Sequence, residues 1–287
     1  MDFVAQIAVN GLALGALYAC LGVGFSLVWG VLNVINMLHG SFVVLGGYIA
    51  FFLWSYLGLH PLLGLPIVGV LMFMLGYCLQ YGVINKVIRA PVLTTLTLTF
   101  GLDMILYNLM TVYFTATPRR IRMDLGSIEV MGTFLPADRL MGMVLAFALT
   151  GMLFVVMRTS KIGRAIVAVR MDRMAAQLMG IRIDNIYAIT FGIGAMMAGL
   201  AGVILVMVFP TTTSVAGTYL GKAFVVCIVG GLGSVPGALV GGLALGLVES
   251  VAAQFFGPQN ATIVGFLLLL FLLLVKPTGL MGVKGYE

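Results

Sequence analysis

Six polar or ionisable side chains stand inside long apolar runs of the sequence, where they could bind or relay a polar solute. They are Asn36, His39, Ser41, Thr97, Asp103 and Glu249. A charged group at membrane depth is costly, and it normally faces the protein interior, a partner or a water-filled cavity. We therefore predict that these six residues contribute to a polar pathway through the membrane.

Each of these residues also has a structural interpretation. Asn33, Asn36 and His39 could cap the helix that follows them, and for Asn33 this is the stronger interpretation. The threonine hydroxyls between residues 94 and 99 can bond back to their own helix. Glu249 could pair with a neighbouring polar group inside a helix bundle. The sequence leaves both interpretations open.

The composition places these residues on membrane-spanning helices. Of the 287 residues, 62% are hydrophobic and 8% are charged, which excludes a soluble globular protein. At about 20 residues per span the chain holds on the order of eight helices. We predict one all-α, polytopic transmembrane domain over residues 1–287, closely packed through its 38 glycines. The net charge of +6 comes from basic residues at the ends of apolar runs, which indicates membrane topology and not nucleic-acid binding.

Apolar runs and their interruptions predict the spans of the first half. The first span covers residues 3–29, and the second covers residues 33–54 and opens with polar side chains. The third covers residues 61–84, and Pro91 opens the fourth. Each of these runs is long enough to cross a bilayer.

A glycine- and proline-rich stretch interrupts the second half. Residues 222–229 are too few to span a bilayer, and the residues after them break a helix. The breaking residues are Gly230, Gly231, Gly233, Pro236 and Gly237. Broken backbone at membrane depth must be buried in protein or line a cavity. We predict a broken or re-entrant element that allows close helix packing, with gating as a second role, followed by spans at 237–255 and up to Lys276.

The basic residues predict the orientation. The turns at 86–89 and 158–182, and Lys276 with Lys284, share the cytoplasmic side if the start of the chain is outside. The longest loop, residues 115–139, then faces outside. Its four arginines are balanced by Asp124, Glu129 and Asp138.

The basic segment at 159–185 has the pattern of an amphipathic helix, if residues 164–179 are helical. The apolar stripe is Ala168, Met171, Ala175 and Leu178, and the polar stripe is Arg170, Arg173 and Gln177. Gly180 can take the left-handed conformation that ends a helix, and Asp184 can cap the next one. Such a helix can bind lipid headgroups or enter a groove on a cytoplasmic protein. The small pair Ala175-Ala176 favours the protein partner.

Motifs for nucleotide hydrolysis and metal binding are missing from the sequence. Gly221-Lys222 lacks the glycine spacing of a phosphate-binding loop and is followed by Ala223. His39 and His60 are far apart, and there is no Cys/His cluster. We therefore expect no cofactor and no enzymatic activity in this chain, and any energy from ATP must come from a partner.

Four stretches resemble one family of membrane proteins. The pattern A-x(6)-A-A-x-x-x-G-I, beginning at Ala168, is similar to the coupling-helix motif of ABC importer permeases. Asn36-x-x-His39-Gly40, Gly163-Arg164-Ala165 and the block GGLGSVPGALVGG at 230–242 narrow the match. Together they resemble the branched-chain amino acid permeases, in the first of two homologous subunit types, nearly from end to end.

The resemblance implies a permease subunit of an ATP-driven importer, multi-pass in the bacterial inner membrane. Its partners would be a second homologous permease, two cytoplasmic ATPases that carry ATP and Mg, and a periplasmic substrate-binding protein. The residues that would couple it to the ATPases are Gly163, Arg164, Ala168, Arg170, Asp172, Arg173, Ala175, Ala176, Gly180 and Ile181. The loop at 115–139 would belong to the outer docking surface.

Two departures from the family pattern concern the polar residues. Ser41 stands where the family commonly has a glutamate, and Asp103 stands where a small polar residue is more usual. A carboxylate has thus moved from one helix to another, which leaves room for a different substrate. Relatives that carry urea, short amides or other amino acids share most of these motifs.

Two other classes of protein stay open. An ion-coupled secondary transporter could use Asp103, Glu249 and His39 as a proton or cation relay. An accessory or sensor subunit could signal to a cytoplasmic partner through the basic segment. An inverted repeat of the kind found in transporters is compatible with the sequence, but the residues do not reveal it.

Overall fold

The computed structural model describes residues 2–123, 126–130, 133–276 and 278–282. Within them the regular secondary structure is helical except for one short hairpin. The helices are α1 (Asp2–Leu32), α2 (His39–Leu57), α3 (Pro61–Gly82), α4 (Val92–Phe114), α5 (Ala137–Thr159), α6 (Lys161–Met171), α7 (Arg173–Leu178), α8 (Ile183–Val208), α9 (Ala216–Gly230), α10 (Val235–Phe256) and α11 (Pro258–Val275). The strands β1 (Ser127–Val130) and β2 (Thr133–Pro136) pair antiparallel, with Ser127 opposite Pro136.

The predicted outer loop at 115–139 is therefore shorter than expected, because α5 begins at Ala137. It holds the hairpin of β1 and β2. Asp124 and Lys284, which we used to predict the orientation, and the side chain of Glu129 lie outside the described residues.

Nine helical stretches of the described residues are long and apolar enough to cross a membrane, one more than the approximate number predicted. The difference arises before the glycine block. Residues 222–229, predicted to be too short to span, form the second half of α9, and a 3-10 turn at Thr213–Val215 extends that helix to 18 residues. The predicted break is confirmed at Gly231 and Gly233, where φ is +105° and +74°.

An odd number of spans brings the basic turns to one side. Asn85, after α3, donates to the carbonyl of Asp184 at the start of α8 (3.0 Å), and Leu280, after α11, donates to Val229 O (2.8 Å). On the opposite side, Arg119 N donates to Thr211 O (2.9 Å). Eight crossings would have put Lys276 on the outer side, whereas nine place it with the other basic turns at what we call the inner face.

The connection between α1 and α2 differs from the prediction. α1 continues to Leu32, beyond the predicted end of the first span, and Asn33 ends it with φ +53° and a bond from its N–H to Trp29 O (2.9 Å). α2 begins at His39, so the predicted start of the second span at 33 is wrong. Asn33 ends the first helix and does not cap the second. Residues 33–38 form a non-helical segment beside the core.

The two most deeply buried spans, α1 and α8, form the centre of the bundle. Glycines let the neighbouring helices approach them: a Cβ on Gly76 of α3 would lie 2.5 Å from the Cβ of Ala195, and one on Gly246 of α10 would lie 2.3 Å from the Cα of Gly15. Thus α3 packs on the central helix α8, and α10 packs on the central helix α1. In each half a non-helical segment and a further helix, α2 or α9, follow the central helix. The order and main contacts of α1–α4 and α8–α11 thus match the pattern of an inverted repeat.

Candidate functional site

The basic segment leaves the bundle at the inner face as two short helices. Ser160 caps α6, and its Oγ accepts from Gly163 N (2.8 Å). Asp172 is extended (φ −152°, ψ 107°), and its Oδ1 accepts from Ala175 N (3.0 Å) to begin α7. The prediction of one helix over 164–179 is wrong, because the aspartate satisfies the free N–H groups of a new helix and breaks the first one.

The motif Ala175-Ala176-x-x-x-Gly180-Ile181 forms the end of α7. Gly180 has φ +84° and donates to Gln177 O (3.0 Å), while Ile181 N donates to Ala176 O (3.1 Å). This is the pattern of a Schellman helix end, and the predicted left-handed Gly180 is confirmed. Asp184 does not cap α8 as predicted: Arg182 is the N-cap, and Asp184 lies in the first helical turn, where a negative charge is favourable.

The segment has apolar side chains both towards the bundle and away from it. The inward face consists of Gly163, Ile166, Val169 and Ala176, which are buried. On the outward face, Met171 is 81% and Leu178 is 86% exposed, and Met174 and Met179 are similarly open. We call these four residues the methionine patch. Two of them belong to the predicted apolar stripe, as do the exposed Ala175 and the half-buried Ala168. An exposed apolar patch of this kind is typical of an interaction surface.

Two basic residues of the segment contact the bundle, although Arg173 is itself largely exposed. The guanidinium of Arg173 lies 5.2 Å from the ring centroid of Tyr187 on α8. Arg170 reaches the turn between α9 and α10, where a Cβ on Gly233 would lie 3.5 Å from its Nη2. Arg164 donates to the carbonyl of Thr159 (3.1 Å). A movement of the segment would therefore be transmitted to α8 and to the glycine block through these contacts.

The glycine block packs tightly against the end of α1. A Cβ on Gly233 would lie 2.7 Å from the Cα of Gly30, and a Cβ on Gly230 would lie 2.2 Å from the carbonyl oxygen of Gly237. Pro236 lies in the first turn of α10, which Ser234 caps through its Oγ and Gly237 N (3.1 Å). Close packing thus accounts for these glycines, as the first of the two predicted roles requires.

Asn36, His39 and Ser41 lie at the start of α2, where His39 contacts α1 and Ser41 contacts α4. The Oδ1 of Asn36 accepts from Leu38 N (3.1 Å), and the Nε2 of His39 lies 2.9 Å from Leu21 O on α1. The other polar side-chain atoms of this pair, Asn36 Nδ2 and His39 Nδ1, are buried and have no hydrogen-bond partner among the described residues. Buried polar atoms are normally paired, so these two are available to a ligand or water.

Ser41 and Asp103, the two positions that depart from the family pattern, are in contact. Ser41 Oγ on α2 donates to Asp103 Oδ1 on α4 (2.5 Å). Asp103 is only partly buried. Thr97, by contrast, donates to Leu93 O of its own helix (2.8 Å), as its structural interpretation requires, and it does not join this group. We call Asn36, His39, Ser41 and Asp103 the open polar cluster.

Glu249 lies in a separate cluster in the second half. Its Oε2 accepts from Tyr18 OH (2.6 Å) and from Lys222 Nζ (2.8 Å), and Lys222 also donates to the Tyr18 hydroxyl. The three residues join α1, α9 and α10, and we call them the closed ion-pair cluster. Sequence reasoning considered Lys222 only as part of a failed nucleotide motif. An intramembrane lysine one helix before an intramembrane glutamate was the signal for this pair.

These features define a class of protein, a multi-pass helical membrane protein with a segment exposed at its inner face and polar residues buried between its spans. A profile described as "Branched-chain amino acid transport system / permease component" matches residues 7–275. The chain belongs to this family.

Named relatives cover nearly the whole chain. It is 32% identical to the high-affinity branched-chain amino acid transport system permease protein BraD of Pseudomonas aeruginosa, over 96% of this chain and 95% of that protein. It is 30% identical to the corresponding LivH of Escherichia coli K12, over 98% and 96%. The probable branched-chain amino acid transport permease protein LivH of Methanocaldococcus jannaschii is 26% identical, over 93% and 89%. No solved structure matches the chain.

Proposed function

We propose that the chain is a permease subunit of an ATP-driven ABC importer that moves branched-chain aliphatic amino acids across the bacterial inner membrane. The observation that carries this proposal is the methionine patch, held outward at the inner face by a motif-encoded helix end. The near full-length relatives, which are named as branched-chain amino acid permeases, support the substrate class.

The patch is where the cytoplasmic ATPase docks in this proposal. Exposure of four large apolar side chains to water is unfavourable, and their burial in the groove of a partner protein is favourable. Because Arg170 reaches Gly233 and Arg173 contacts Tyr187, we assign them to transmission of movement and the patch to contact with the ATPase. ATP and Mg reside on the ATPase subunits, and closure of those subunits moves the segment as a rigid body.

We assign the binding protein and the second permease to other parts of the chain. The periplasmic binding protein delivers substrate to the loop at 115–139, and the second permease completes the pathway. α4 is the least buried of the candidate spans and carries Asp103, so we assign its face to the neighbourhood of that second subunit. The open polar cluster supplies hydrogen-bond partners for a zwitterionic substrate. Glu249 remains a pathway candidate, although its contacts favour a structural role.

The test is uptake of labelled leucine by liposomes that contain the chain, the second permease, both ATPases and the binding protein. We expect uptake that requires ATP and the ATPases. Replacing Met174 and Leu178 by glutamine removes apolar contact, and we expect it to abolish ATPase co-purification and uptake. The matched control replaces Tyr56 and Leu57, which are exposed at the outer end of α2, and it leaves ATPase binding intact.

The alternatives give different results in the same assay. Uptake by this chain alone under an ion gradient would contradict the proposal in favour of secondary transport. Transport of urea or a short amide in preference to leucine would keep the class and change the substrate. Retained ATPase binding and uptake in the methionine-patch variant would disprove docking at the patch.

A further inference from the structure

A cavity of about 670 Å³ opens at the inner face between the end of α3, the end of α7 and the start of α8. Its lining includes three arginines and three tyrosines. They are Arg89, Arg173, Arg182, Tyr77, Tyr81 and Tyr187. We call this space the inner-face cavity. Arg173, Gln177 and Gly180 of the segment line it, the methionine patch does not, and the proposed function assigns it no ligand.

The charge of the inner-face cavity is suited to an anion. Its three arginines face one acidic lining residue, Asp184. Among the described residues the ion pairs are Arg120 with Asp138 and Lys222 with Glu249, so the cavity arginines are not in one. Guanidinium groups present paired donors that match phosphate oxygens.

Tyr187 adds a donor at the cavity wall. Its side chain is 1% exposed, and its hydroxyl, which lies beside the Arg173 guanidinium, makes no hydrogen bond of ordinary geometry among the described residues. The Tyr77 hydroxyl, in contrast, is already committed to Asn185 Oδ1 (2.8 Å). A buried hydroxyl without such a bond is unusual, and an anion in the cavity would satisfy it.

The surface that leads into the cavity is apolar and faces outward. On α3, Ile67, Leu71, Met74 and Tyr81 are exposed and fall at helical spacing along one stripe that ends at the cavity. Tyr81 stacks on Tyr77 at the polar end of this stripe (5.9 Å between ring centroids). Aromatic side chains at the junction of an apolar surface and a basic cavity are typical of the membrane–water interface.

We infer that the inner-face cavity binds the phosphodiester headgroup of an anionic phospholipid of the inner leaflet, with its acyl chains along the exposed stripe of α3. A free phosphate would use the arginines but not the stripe. Basic pockets between membrane helices on the cytoplasmic side are suited to such headgroups. Because Arg173 and Gly180 line the cavity, the bound lipid would brace α7 against α3 and α8.

The test compares lipid retention by the full chain in nanodiscs of phosphatidylglycerol or phosphatidylcholine, by native mass spectrometry and thermal denaturation. We expect preferential retention of phosphatidylglycerol. The variant Arg89→Gln with Arg182→Gln should lose roughly thirtyfold in affinity, since each arginine near the surface is worth about fivefold. Arg122→Gln, at an exposed arginine of the outer loop, is the matched control and should keep the preference.

Further experiments distinguish a bound lipid from a free anion and from the ATPase. Inorganic phosphate added to phosphatidylcholine nanodiscs should not raise the melting temperature, and equal protection by phosphate would replace the lipid with a free anion. A double variant that keeps its lipid but loses ATPase co-purification would assign the cavity to the ATPase interface. Tyr187→Phe preserves the packing and should weaken retention severalfold even if the double variant fails to fold, and unchanged retention would overturn the inference.

Discussion

The two polar clusters, one on α2 and α4 and the other on α1, α9 and α10, are built differently. α2 and α9 each contain the sequence Phe-Val-Val, at 42–44 and 224–226, with Ser41 directly before it in one and Lys222 two residues before it in the other. In the second half, Lys222 and Glu249 neutralise each other. In the first half, Asp103 has only the Ser41 hydroxyl as a side-chain partner among the described residues.

The difference separates two roles that the sequence could not distinguish. A buried group whose partners are all within the bundle is suited to fixing helices in place, and removing one partner exposes the other to an apolar environment. A cluster with unsatisfied polar atoms is suited to binding a ligand reversibly. The closed ion-pair cluster is therefore suited to a structural role, and the open polar cluster is suited to a role in the substrate pathway.

The largest expected effect tests the structural role of the closed ion-pair cluster. Glu249→Ala leaves Lys222 buried without a counter-charge, and we expect a loss of about 3–5 kcal/mol in unfolding free energy. Thermal denaturation in detergent and the yield of folded protein measure it. Lys222→Met combined with Glu249→Leu removes both charges and should recover most of the stability. If the double variant is stable but imports no leucine, Glu249 belongs to the pathway and the contrast between the clusters fails.

The next effect concerns the inner-face segment that precedes the second half. A Cβ at Gly180 would meet no atom within 4 Å, so a substitution acts only through φ +84°. Gly180→Val should cost about 1–2 kcal/mol in local helix-end stability, with normal insertion and lost ATPase co-purification and uptake. Gly180→Asn tolerates the left-handed conformation and is the control. Equal loss in both variants would point to side-chain bulk at an interface instead of the helix end.

A smaller effect tests the open polar cluster by exchanging its members. Asp103→Ser should lower uptake about tenfold, the equivalent of 1.4 kcal/mol, with little loss of stability because Asp103 is only partly buried. Ser41→Glu combined with Asp103→Ser restores a hydroxyl–carboxylate pair between α2 and α4. We expect this exchange to recover uptake of leucine. Recovery for a different substrate would identify the pair as a specificity determinant.

Much of the fold followed from the sequence, because the bilayer imposes the length and polarity of each span. The starts of α3 at Pro61 and of α4 after Pro91 were correct, since proline is favoured at helix beginnings. The left-handed Gly180 was also correct. These features depend on neighbouring residues only.

The errors occurred where local patterns were ambiguous. The apolar period runs through Asp172, so the sequence shows one helix, and only the aspartate's competing bond to Ala175 N divides it. Residues 33–38 mix apolar and polar side chains, and their non-helical path is stabilised by distant partners such as Thr99, which donates to Ile35 O. The pairing of Lys222 with Glu249 likewise depends on packing between helices.

The smallest expected effect removes one hydroxyl from each cluster. Tyr18→Phe deletes a donor to Glu249 while Lys222 remains, so it should cost about 0.5–1.5 kcal/mol of stability and leave uptake unchanged. Ser41→Ala deletes the hydroxyl bound to Asp103, and should change stability less but lower uptake severalfold. Paired measurements of melting temperature and leucine uptake decide between the two patterns. A hydroxyl with a purely structural role can change uptake only by changing stability. If Tyr18→Phe lowers uptake as much as Ser41→Ala at equal stability, both clusters therefore take part in transport.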